Sequence, residues 1–219
     1  MTAISLSTPP TTSARGIKEI VIAHCGPVAE IVSRKLADLL LTTSKEEEED
    51  GEGVRVLSRF SLGEIEKNPF LQIEEDDDDD ATIVVIVETI ENDEIAREGE
   101  QVAKFLLKEA KRNKEEAVGA AKKEEEKKKK RRYVLVGVGD SNILADRQYF
   151  RSNQNSAEDC NAAARYVDKL LEKSGRWERV GKRLELDCGR DFEGKLEKWV
   201  RARRADIFAS KEETEEFTR

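Results

Sequence analysis

The run Gly137-Val-Gly-Asp-Ser-Asn142 holds residue types from which a ligand loop is built. Glycines without a Cβ let backbone N–H and C=O groups come close to a flat ligand. Asp140, Ser141 and Asn142 then bring carboxylate, hydroxyl and amide groups into three consecutive positions. Tyr133 to Val138 just before them is apolar and β-branched, so the loop follows a buried strand. In open α/β sheets ligands lie outside the carboxyl ends of strands, where such a loop would sit. A second candidate is Ala23-His-Cys-Gly-Pro-Val-Ala-Glu30, between an apolar run and a helical pattern. Backbone N–H groups at a helix N-terminus take anions. A protonated His24 would add charge there, and the alternative is an exposed turn residue. Cys25 at such a position is also a candidate thiolate nucleophile. A third polar loop, Glu88-Thr-Ile-Glu-Asn-Asp-Glu94, follows the most apolar run of the chain. His24 is the one histidine, so multi-histidine metal sites are excluded. No Gly-x-Ser-x-Gly elbow accompanies it, which argues against a serine triad.

The elements that must carry these loops alternate along the chain. Ile17 to Ala23 reads as a first strand, followed by a Gly-Pro turn. Val28, Ile31, Val32, Leu36, Leu39 and Leu40 recur at helical spacing, which predicts a helix over Val28–Leu41. A short second strand is expected at Val54–Leu57, with 58–81 irregular. Thr82 to Val87 is almost continuously apolar, as a strand buried on both faces requires. Ala96–Lys111 reads as a helix with Val102, Phe105, Leu106 and Ala110 on one side. The highly charged 112–132 reads as its exposed extension. Tyr133–Val138 is a fourth strand. Ser156–Lys173 reads as a helix with Ser156 as N-cap and Cys160, Ala163, Ala164, Val167 and Leu171 inward. A fifth strand is expected near Val180–Leu186, then a helix with Phe192, Leu196, Trp199 and Val200 facing the sheet. Strand–helix repetition of this kind predicts a parallel sheet covered on both faces.

Gly137 to Asn142 resembles the Gly-x-Gly-Asp-Ser loop of flavodoxins and of the flavin mononucleotide (FMN) domains of diflavin reductases. The resemblance runs over about residues 17–202. It takes in Asp159-Cys-Asn161, Val167-Asp-Lys-Leu-Leu171 and the Leu186–Glu193 loop with Leu196 and Trp199. It implies a three-layer α/β, flavodoxin-like fold with a five-stranded parallel sheet of order 2-1-3-4-5. It also implies bound FMN and electron transfer between a separate NADPH-dependent reductase and an acceptor. In that family the first loop, Ser-x-Thr-Gly-x-Ala-Glu, cradles the FMN phosphate. Here Gly26, Ala29 and Glu30 match it, Ala23 and Cys25 replace both hydroxyls, and Pro27 removes a donor. The phosphate contacts implied are His24, Cys25, Gly26, Val28, Ala29 and Glu30. The family's second loop, Ser-Thr-Tyr-Gly-(Asp/Glu)-Gly, keeps Thr89 and has Ile90 at its aromatic position and Glu91 and Asp93 at its glycines. Thr89, Ile90 and Asn92 would cover the far edge of the flavin. Gly137, Val138, Gly139, Asp140, Ser141 and Asn142 would hold the ring, with Tyr149 or Phe150 stacked on it. Tyr149 and Phe150 plugging a vacant site is the alternative. The substitutions at Ala23, Cys25, Pro27, Ile90 and Glu91 support a second function, a flavodoxin fold that has lost FMN and serves as an interaction domain.

The chain has 219 residues, enough for one domain, with 39% charged and 37% hydrophobic residues. Residues 17–205 are expected to form it, with charged insertions near 42–53, 74–81 and 112–132. Residues 206–219 read as a polar tail. Residues 1–16 read as a disordered tail, since a transit peptide usually carries more than one arginine. A net charge of −8 argues against nucleic-acid binding and suits a basic partner or simple solubility. Glu74 to Asp80 are seven consecutive acids, and Lys122 to Arg132 reads as a solvated helix rather than an import signal. No apolar run nears the ~18 residues of a membrane span. Cys25, Cys160 and Cys188 form no paired motif, which suits a reducing compartment, so a cytoplasmic location is expected, and the family resemblance implies a monomer.

Overall fold

A computed structural model describes residues 18–46, 54–64, 70, 82–90, 94–119, 130–141 and 160–208. The strands are β1 (Lys18–Cys25), β2 (Val54–Ser61), β3 (Thr82–Glu88), β4 (Arg131–Gly139), β5 (Trp177–Arg179) and β6 (Leu184–Asp187). The helices are α1 (Pro27–Glu46), α2 (Glu100–Gly119), α3 (Ala162–Ser174) and α4 (Phe192–Phe208), with one 3-10 turn at Arg97–Gly99. All strand pairs are parallel, in the order β2-β1-β3-β4-β5. β6 lies beyond β5 along the same edge of β4, pairing Val136–Gly139. The expected 2-1-3-4-5 sheet is therefore present, with its fifth position filled by two short strands.

Alternation of side chains across β3 and β4 builds two cores. On one face Ala23, Val85, Val87 and Leu135 pack with Val102, Leu106, Val167 and Leu171 of α2 and α3. On the other, Ile22, Val84, Ile86 and Val136 pack with Val32, Leu36, Leu196 and Val200 of α1 and α4. Strands buried on both sides must be apolar at nearly every position, and Thr82–Val87 is buried throughout.

Several boundaries differ from the sequence expectation. β1 runs two residues further, to Cys25, and β2 reaches Ser61, because both pair along their full length. α1 extends to Glu46, taking in the start of the expected 42–53 loop, and Ile31 on it is 57% exposed rather than inward. α2 starts at Glu100, after the 3-10 turn, and continues to Gly119. α3 as described begins at Ala162, with Asn161 at its N-cap position; Ser156, the expected cap, lies outside the described residues. The fifth strand is broken around Val180–Arg183, with Gly181 at φ +68°.

That break is held by a buried carboxylate. Asp168 of α3 accepts hydrogen bonds from the Tyr133 hydroxyl at 2.9 Å and from Arg183 at 2.6 Å, and pairs with Arg179. The looped-out segment is thereby tied to both β4 and α3. The acidic run 74–80 and the basic run 122–129 lie outside the described residues.

Candidate functional site

The carboxyl ends of β1, β3, β4 and β6 meet at one edge of the sheet, where the three candidate loops begin. At the first, β1 continues through His24 and Cys25, and α1 starts at Pro27. Gly26 alone forms the junction, at φ +96°. Such a short turn leaves no loop to wrap an anion. The donors at the start of α1 are instead taken by the chain itself. Glu88, at the end of β3, accepts from the N–H of Val28 at 2.7 Å and of Ala29 at 3.1 Å through the same Oε2. A Cβ on Gly26 would run into this side chain, 2.7 Å from the Glu88 Cβ. Glycine is therefore needed both for the left-handed turn and for the approach of Glu88.

His24 and Cys25 belong to β1 and are buried, at 8% and 0% exposure. His24 is therefore a strand residue and not an exposed turn residue. Burial, foremost, lowers its pKa, and Arg59 lowers it further against Glu30, Glu64 and Glu98. It is neutral at physiological pH and brings no charge to an anion. Its Nδ1 has no hydrogen-bond partner. Burial pushes the Cys25 thiol up to about 12, so the nucleophile expectation fails. Glu30 points its carboxylate at Arg34, one turn on, which lowers its pKa.

The second loop starts with two caps facing opposite ways. The residue after Glu88, Thr89, accepts from the N–H of Ala163 at 3.2 Å, in the first turn of α3. Its backbone donates to the Val138 carbonyl at 2.8 Å and bridges to Ile95. Ile90 is 38% exposed at this edge. Burial, as the largest cause, raises the Glu88 pKa, with Glu98 adding to it and the Val28 and Ala29 amides opposing.

The third loop has its glycines inside β4. Gly137 packs against Ala164 and Asn161, and a Cβ there would sit 2.8 Å from the Ala164 Cβ. A Cβ on Gly139 would collide with the Cys160 carbonyl. These glycines admit α3 and the turn before it; their close approach is to protein. Val138 between them is fully buried. Beyond the strand the Asp187 carboxylate accepts from the Ser141 and Gly189 N–H groups, both at 3.0 Å. Burial opposes its charge, yet these bonds and Arg190 hold its pKa low. Burial, then Asp140, Glu88 and Asp187 push the nearby Cys188 thiol up to about 11, which marks a negative edge. Asn92, Asn142, Tyr149 and Phe150 lie outside the described residues.

The sheet thus brings together the Glu88–Ile90, Gly137–Ser141 and Gly26–Glu30 segments, as expected, but the first is a cap and the last is capped. Glu88 and Asp187 were not singled out as individual site residues. The sequence signal for Glu88 is a charged residue that directly ends a strand buried on both faces; its partner, some sixty residues away, is set only by the pairing of β1 with β3. At the start of α1 the residues present do not fit an FMN phosphate, because a carboxylate already uses the two donors and would repel a dianion. Among the described residues no group of three His, Cys, Asp or Glu is placed to hold a metal ion. None of their helices is long and apolar enough to cross a membrane.

No protein-family model and no curated protein sequence matches this chain. Solved structures do. A cysteine-to-alanine mutant of flavodoxin from Pseudomonas aeruginosa superposes with a TM-score of 0.53 at 14% identity, over 86% of this chain and 98% of that one. A cysteine-to-serine mutant of the same flavodoxin gives 0.50 at 17% identity over the same shares. Together with the 2-1-3-4-5 parallel sheet, these likenesses give the chain a flavodoxin-like α/β fold.

Proposed function

We propose that this chain is a flavodoxin-fold interaction domain that holds no FMN phosphate at its β1–α1 junction. The observation that carries this reading is Glu88, whose carboxylate takes the Val28 and Ala29 amides at the start of α1. Those are the donors on which a phosphate bound at a helix N-terminus depends. The single-residue junction and the neutral, buried His24 support the same reading. A fold alone does not fix an activity. The partner chemistry that suits the domain is basic: Glu88, Asp140 and Asp187 gather at the sheet edge and the net charge is −8.

A second reading is favoured by the place of the Gly137–Ser141 segment. It ends at the carboxyl edge of the sheet, where open α/β folds bind ligands. In that reading the chain binds FMN through its ring and carries electrons between a separate reductase and an acceptor.

One titration separates them. The purified protein is examined for flavin absorption and then titrated into FMN, following fluorescence quenching. The interaction domain is colourless and leaves FMN fluorescence unchanged up to millimolar concentration. Flavin bands, or quenching at micromolar FMN, overturn it in favour of the carrier.

A further inference from the structure

Glu88 and Thr89 are neighbours at the end of the central strand, and consecutive side chains leave a strand on opposite faces. Glu88 reaches the first turn of α1 on one face, through Val28 N–H and Ala29 N–H. Thr89 reaches the first turn of α3 on the other, through Ala163 N–H. One dipeptide therefore caps the helices on both sides of the sheet. Neither helix has a local alternative. The β1–α1 junction is glycine followed by proline, with no side-chain acceptor of its own. At α3, Asn161 occupies the N-cap position but makes no side-chain cap, and its buried Oδ1 has no donor. The dipeptide's own backbone is fixed on both sides, Thr89 N–H to Val138 and Ala96 N–H to the Glu88 carbonyl at 3.3 Å. Gly26 completes the fit, since its turn leaves room for the Glu88 side chain and for no Cβ.

Resting on the reading that FMN phosphate is not held here, we propose that Glu88–Thr89 is an internal ligand. The Glu88 carboxylate closes the anion position of α1 from within, and the domain is complete without a cofactor. The contact is autoinhibitory toward oxyanions: while Glu88 is in place, the α1 amides accept no external anion. Removing its side chain frees two donors at a helix N-terminus, where a phosphate dianion is the fitting replacement.

The test is thermal unfolding of the full chain and its E88A, E88Q and T89V variants, with and without inorganic phosphate at matched ionic strength. E88A is expected to melt about 3–6 °C below the parent, the cost of a lost cap in a domain of this size. Phosphate at tens of millimolar restores at least half of that loss and moves neither the parent nor E88Q, in which the amide oxygen still accepts. T89V melts lower by about 2–4 °C and is not restored by phosphate, since its lost acceptor is a neutral hydroxyl. An E88A variant that melts with the parent, or phosphate that raises the parent as much as E88A, overturns the proposal. Should E88A fail to fold, amide exchange in the parent decides. Protected Val28 and Ala29 amides uphold it, and amides exchanging as freely as open loop sites overturn it. These outcomes are independent of the FMN titration, whose failure would remove the interaction-domain reading while leaving the caps to stand or fall by their own melting curves.

Discussion

At residue scale the titration of Glu88 has a definite sign. Its folded pKa lies above the ordinary value of 4.5, chiefly through burial. The folded state therefore binds the proton more tightly, and this contribution to stability is present below pH 4.5 and lost as pH rises through the raised value. E88Q cannot titrate, so the melting temperature of the parent minus that of E88Q should fall as pH increases over this window. A difference that grows instead would show that the amides outweigh burial. His24 has the opposite sense of shift. Its lowered pKa means stability is lost as pH falls through the unfolded value near 6.5, and replacing it with a neutral side chain of similar size should soften that acid limb. The thiols are the other residue-scale test. With Cys25 at about 12 and buried, iodoacetamide at neutral pH should label it more slowly than free cysteine, with full reactivity only after denaturation.

At the scale of elements two devices decide the geometry. The first is the one-residue β1–α1 junction. Gly26→Ala would force a Cβ into a left-handed turn and against Glu88, which should cost about 1–3 kcal/mol in urea unfolding. A change below a few tenths would mean the turn relaxes freely. The second is the break between β5 and β6. Asp168 is 3% exposed and holds Tyr133, Arg179 and Arg183 together. Asp168→Ala strands the buried Tyr133 hydroxyl and leaves Arg179 and Arg183 to Glu172 and Glu185 alone, and should cost about 1–3 kcal/mol. The aromatic pair Phe70 and Trp177, with ring centroids 4.7 Å apart, packs at the start of the same broken edge. In a Trp199→Phe background, Trp177 fluorescence is thus a local reporter for that variant.

At the scale of the molecule, the fold was largely legible and the site only in part. Thr82–Val87 read as a strand buried on both faces because it is almost continuously apolar, and it is buried throughout. The helical spacing of Val32, Leu36 and Leu40 gave the buried stripe of α1, while Ile31, with the same apolar character, lies on its solvent side. Propensity and period report how apolar a position is; they do not report which neighbour covers it. The same limit explains the broken fifth strand. Leu184 and Leu186 alternate as a strand should, but nothing local in Val180–Arg183 reveals that Asp168 would bind Arg183 outside the sheet.

What the sequence determined by itself is the alternation of strands and helices, hence the parallel sheet and the edge at which the loops collect; the 2-1-3-4-5 order came from the family resemblance and is seen in the sheet itself. The alternation and the sheet follow from short-range patterns repeated along the chain, and each repeat restricts the topology further. What only the tertiary structure decided is the state of the anion position. The amides of Val28 and Ala29 and the carboxylate of Glu88 are about sixty residues apart in sequence. Their meeting depends on β1 and β3 being neighbours in register, Cys25 beside Val87. No local pattern encodes a contact of that range, so a junction that reads in sequence as an imperfect phosphate loop is, once folded, a helix end already filled by the chain's own acid.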